Sequence, residues 1–103
     1  MDAQLEILKQ LLIETMREWL EKNRSTIGEE QYSKYAKHLR DAEERIRDRL
    51  SLMGYAIWAL YLVQEHADIA YTSRRKPEVW KLREGVDPRS TKQLLAVIHM
   101  CLR

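Results

Sequence analysis

Two pairs of carboxylates stand at helical spacing, Asp41 with Glu44 and Glu65 with Asp68. Side chains three residues apart leave a helix on one face, and oxygen ligands grouped in that way suit a hard cation such as Mg²⁺. A second chemistry lies further along the chain. Arg74, Arg75, Lys76, Lys81, Arg83 and Arg89 cluster around Trp80, offering cations for phosphates and an indole for base stacking. Residues 72–92 carry a net charge of +4, residues 1–23 carry −2, and the whole chain carries +2. Glu78, Glu84 and Asp87 interrupt the basic stretch, so a solvated connector competes with a nucleic-acid surface there. His38, His66 and His99 are far apart in sequence, and neither an HExxH nor a CxxC spacing occurs. Cys101 is the only cysteine and falls on an apolar helix face, where an inert buried thiol is expected. Three scattered glycines cannot form a phosphate-cradling loop. These patterns predict no catalytic residues, no bound metal and no cofactor.

The acidic pairs resemble the ExxE and ExxD helices of the MazG-type nucleotide pyrophosphatases. The string Glu65-His66-Ala67-Asp68-Ile69-Ala70-Tyr71 is similar to the second of those motifs, and Asp41 stands where the first has Glu. The resemblance covers residues 41–68 and implies Mg²⁺-dependent nucleotide hydrolysis. Such chemistry needs the two carboxylate pairs side by side. One continuous helix would instead set residues 44 and 65 about 30 Å apart along its axis.

The elements that must position these groups are helical. Residues 52–63 contain no charge across 12 positions. As a helix the run spans roughly 18 Å, short of the ~20 apolar residues that cross a bilayer, so no membrane contact is expected. A helix apolar on every side must be covered on every side. Before it, Leu5, Leu8, Leu12, Met16 and Trp19 recur three and four apart and predict a helix over 3–22, widened by Ile13 and Leu20. Thr26 and Glu29 match a capping box that would start a second helix near Ile27. Its narrow stripe is Tyr32, Tyr35, Leu39, Ala42, Ile46, Leu50 and Met53. No glycine or proline separates that stripe from the apolar run, which predicts a nearly continuous helix to about residue 72, with a bend at 51–54. Pro77 and Gly85 bracket a short helix over 77–84, and Asp87-Pro88 announces a last helix to Leu102.

The expected fold is therefore all-α: one domain over 1–103, a four- to five-helix bundle around a long central helix, or an intertwined homodimer. Within the central helix, Ala56, Ala59, Val63, Ala67 and Ala70 form a small-residue side suited to close packing. Tyr55, Trp58, Tyr61 and Leu62 form a bulky side, the expected partner surface. The surplus of apolar faces favours self-association over a monomer. The functional expectation is a small non-enzymatic interaction protein, an adaptor, inhibitor or assembly subunit; the alternative is a nucleic-acid-binding subunit or regulator using residues 74–92. A lone cysteine and an N-terminus without a basic, cleavable leader predict a reducing, cytoplasmic setting.

Overall fold

The computed structural model describes residues 2–69 and 81–103. Among these, five helices and no strand are found: α1 (Ala3–Lys22), α2 (Arg24–Ile27), α3 (Glu29–Arg45), α4 (Arg49–Ala67) and α5 (Pro88–Leu102).

Helix α1 begins where Asp2 accepts a hydrogen bond from the Leu5 amide at 2.8 Å. Its broad arc of Leu5, Leu8, Leu12, Ile13, Met16, Trp19 and Leu20 is wholly buried, and Ile7 is left in solvent. That arc serves two main neighbours: α1 packs most heavily on α5 and next on α3. The structural hub is thus the α1–α5 pair. Helix α4 packs chiefly on α5 and only lightly on α1, so it is a flank of the bundle and not its axis.

The expected continuity from the second helix into the apolar run is not observed. Helix α3 ends at Arg45, Ile46 turns extended (φ −81°, ψ 104°), and α4 restarts at Arg49. The cause is a reciprocal cap. Asp48 accepts from the Ser51 amide at 2.8 Å, and Ser51 Oγ accepts from the Asp48 amide at 3.0 Å. Two orphan donors at the helix start are satisfied without glycine or proline. Buried Ile46 anchors the corner in the core. Helix α4 also stops earlier than expected, at Ala67, where Asp68 adopts the left-handed conformation (φ 59°).

The Thr26–Glu29 capping box is likewise replaced. Thr26 sits in the single turn of α2 and donates to the Gly85 carbonyl at 3.1 Å, while Glu29 pairs with Arg24 at 2.7 Å. Gly28, at φ 94°, separates α2 from α3 in a conformation that side chains disfavour. Residues 81–83 are not helical and 84–85 form a turn, which contradicts the expected helix over 77–84 at that end; its remainder lies outside the described residues. The last helix starts as its signals say. Asp87 accepts from the Ser90 amide at 2.8 Å, with Pro88 in the first turn.

A buried polar network joins the end of α1 to the start of α5. Asn23 donates to the Trp19 carbonyl and accepts from the Asp87 amide, both at 2.7 Å. Trp19 Nε1 donates to Thr91 Oγ1 at 2.9 Å, and Thr91 Oγ1 donates to the Asp87 carbonyl at 2.8 Å. Lys9, nearly enclosed, reaches across to α3 and donates to the Glu43 carbonyl at 2.6 Å, satisfying a free carbonyl in the last turn of α3. No described buried side-chain nitrogen or oxygen lacks a partner.

Candidate interaction surface

Because α4 is apolar all round but lies on the flank, its sides meet three different environments. The small side, Ala56, Ala59, Val63 and Ala67, is fully buried in the core; Ala70 lies outside the described residues. The second side leans on α3. His38 stacks on Tyr55 with ring centroids 5.0 Å apart and tilts against Trp58 at 4.5 Å. Tyr35 meets Trp58 edge-on at 6.4 Å. Two turns further along α4, the Tyr35 hydroxyl lies 3.0 Å from His66 Nε2 and donates to Gln31 Oε1 at 2.6 Å. Burial holds the His66 imidazole below its ordinary value, nearby Glu65 opposes that shift, and Arg83 reinforces it. Burial likewise raises the Tyr35 phenol, with a smaller push from Glu65.

No described residue covers the third side. Leu50 is 78% exposed, Ile57 42% and Tyr61 66%, with exposed Gly54 between the first two. Spacings of four, three and four place these positions in one stripe along α4. Beside the stripe runs a groove of about 360 Å³, lined by Ile57, Leu60, Tyr61, Gln64 and, from α5, Leu102. A second, smaller hollow of about 200 Å³ lies between α1 and α3, where Arg17 and Arg40 flank Leu20 and Leu39. There the Tyr32 hydroxyl donates to Glu21, and Arg24 lies 4.0 Å above the Tyr32 ring.

The structure does not bring Tyr55, Trp58, Tyr61 and Leu62 together as one surface. Leu62 is 5% exposed and belongs to the core. Tyr55 and Trp58 are half-buried against α3, and Tyr61 alone stands on the open stripe. Leu50, expected in the buried seam of the second helix, is instead the most exposed large apolar residue described. It changes sides because the restart at Arg49 rotates it out of the preceding helix's register. Leu50 and Ile57 are legible as stripe members only once that restart is placed.

Neither chemical constellation forms a site among the described residues. Asp68 is engaged by Arg83 through two hydrogen bonds, at 2.7 and 3.1 Å, and Asp41 and Glu44 sit near the far end of α3. No group of three or more described His, Cys, Asp and Glu side chains is placed to hold a metal ion. Of the basic stretch, Arg74, Arg75, Lys76 and Trp80 lie outside the described residues. Lys81 and Arg89 are exposed, and Arg83 is committed to Asp68. Cys101 is fully buried, and burial pushes its thiol up to about 11. No described helix is long and apolar enough to cross a membrane.

No known family, curated protein or solved structure matches the chain. The surface itself therefore carries the functional reading.

Proposed function

We propose that this chain is a small non-enzymatic helical interaction protein that associates with itself through the open side of α4. One observation supports the reading: Leu50, Ile57 and Tyr61 form a continuous apolar stripe beside a lined groove. Large contiguous apolar patches are uncommon on surfaces that meet only water. Burying one such side chain contributes roughly 1.5–3 kcal/mol, so three per copy are enough to offset part of the cost of bringing two chains together. A reducing, cytoplasmic setting belongs to the same reading, since the single thiol is buried in the core.

Thermal unfolding over a dilution series tests it. Association of folded copies makes Tm rise with concentration, because mass action favours the assembled native state. The wild type is expected to show that rise. Leu50→Asp/Ile57→Asp, at two exposed positions, is expected to keep the helical circular dichroism and lose the dependence. A flat Tm in the wild type would overturn the reading.

A further inference from the structure

The open stripe carries two projecting side chains and two open positions between and beside them. Leu50 and Ile57 project from it seven residues apart, about 10 Å along the helix. Two receiving features lie on the same side. One is the groove among Ile57, Leu60, Tyr61 and Gln64. The other is a notch at Gly54, between Leu50 and Ile57, where an added Cβ would meet nothing within 4 Å. The centres of groove and notch are also about seven residues apart, the same ~10 Å. Two projections and two recesses of equal spacing fit together when a second α4 runs in the opposite direction. Leu50 of each copy then enters the groove of the other, and Ile57 of each covers the other's glycine notch.

Charge selects the same direction. The start of α4 is flanked by exposed Arg45, Arg47 and Arg49 against exposed Glu44 and Asp48, and its far end carries exposed Glu65 and Asp68 against Arg83. Arg49 donates to the Arg103 carbonyl at 3.0 Å through one of its five N–H groups, and Glu65 forms no ion pair with any described residue. In antiparallel alignment the arginines of one copy lie level with Glu65 of the other. In parallel alignment arginines meet arginines and Glu65 meets Glu65, an arrangement that costs free energy.

We propose that two copies of this chain form a two-fold dimer by antiparallel pairing of α4 with α4, Leu50 of each seated in the groove of the other and Gly54 near the axis. The pairing rests on the self-association reading above and adds its geometry. It is isologous, so it closes at two copies and does not propagate.

Cysteine cross-linking of the full chain tests the pairing, read by mass under non-reducing conditions after mild oxidation. Cys101 is buried and stays silent. Gly54→Cys places a thiol on each side of the axis and is expected to yield a disulfide-linked dimer. Glu65→Cys is expected to yield none, since its two copies lie about 30 Å apart by helix rise. In parallel, Glu65→Arg is expected to weaken association about fivefold, and adding Arg47→Glu to restore most of it. If the wild type associates but both cysteine variants cross-link, or neither does, the antiparallel pairing is overturned and self-association stands. If the wild type stays monomeric at every concentration, both fall, and the stripe serves a different partner.

Discussion

Asn23 is expected to be the most sensitive polar residue in the chain. Asn23 is 1% exposed, and its carboxamide accepts from the Asp87 amide at the start of α5 and adds a second hydrogen bond to the Trp19 carbonyl of α1, each at 2.7 Å. A longer approach to Ser90 Oγ, at 3.5 Å, adds little. Asn23→Ala leaves the half-buried Asp87 amide without its acceptor, while the Trp19 carbonyl keeps its hydrogen bond from the residue 23 backbone amide at 3.0 Å. One unsatisfied backbone donor costs about 1–3 kcal/mol, and that is the expected loss. Against a total stability of about 5–15 kcal/mol this is a large fraction. The corresponding fall in Tm is about 5–20 °C. Urea unfolding followed by circular dichroism is the assay, with an unchanged m-value showing that the unfolded state is not altered. Ser90→Ala, which loses the 3.5 Å contacts and the hydroxyl's hydrogen bond to the Asp87 carboxylate but leaves both Asn23 bonds in place, is the comparison and is expected to cost about 0.5–1 kcal/mol. If Asn23→Ala is as mild as Ser90→Ala, the network does not hold α1 to α5 and the account of the core is wrong.

Two further outcomes concern α3 and its contacts. Lys9→Met keeps the buried stem but removes the donor to the Glu43 carbonyl, and is expected to cost about 1 kcal/mol; Lys9→Ala removes the stem as well and should cost more in the same urea assay. The depressed His66 imidazole has a defined pH signature. The unfolded chain binds a proton there before the folded chain does, so this contribution is fully present above the ordinary histidine value. It falls as pH drops through the ordinary histidine value and levels off below the depressed folded one. Stability measured across that window should decline less in His66→Gln than in the wild type. The lowered carboxylates Asp48 and Asp87, held down by hydrogen bonds from Ser51 and Ser90 respectively, lose their contributions only at lower pH and so do not obscure the comparison.

Helices α1 and α5 were legible because each is amphipathic over its whole length and carries explicit end signals: the apolar arc of α1, and Asp87-Pro88 before α5. The corner between α3 and α4 was not. It is made by Asp48 and Ser51, two polar residues in a charged run, and Ser51 reads as a cap in its own right when it is the third residue of the new helix. Placing that corner one turn late kept Leu50 in a buried stripe and hid the open one. The bulky side of α4 was recognised as distinct from the small side, but periodicity within one helix does not say which neighbour covers which face. Tyr55 and Trp58 turned out to face His38 and Tyr35 of α3. Asn23 read only as the end of α1, because its partners Asp87 and Ser90 lie more than 60 residues away.

Sedimentation equilibrium of the wild type beside Leu50→Asp/Ile57→Asp tests the central claim, that the open side of α4 is where copies of this chain meet. The account predicts a mass approaching that of two chains for the wild type as concentration rises, and a mass of one chain for the variant at every concentration, with helical content unchanged. A wild type that remains a single chain throughout, or a variant that associates as the wild type does, would contradict it.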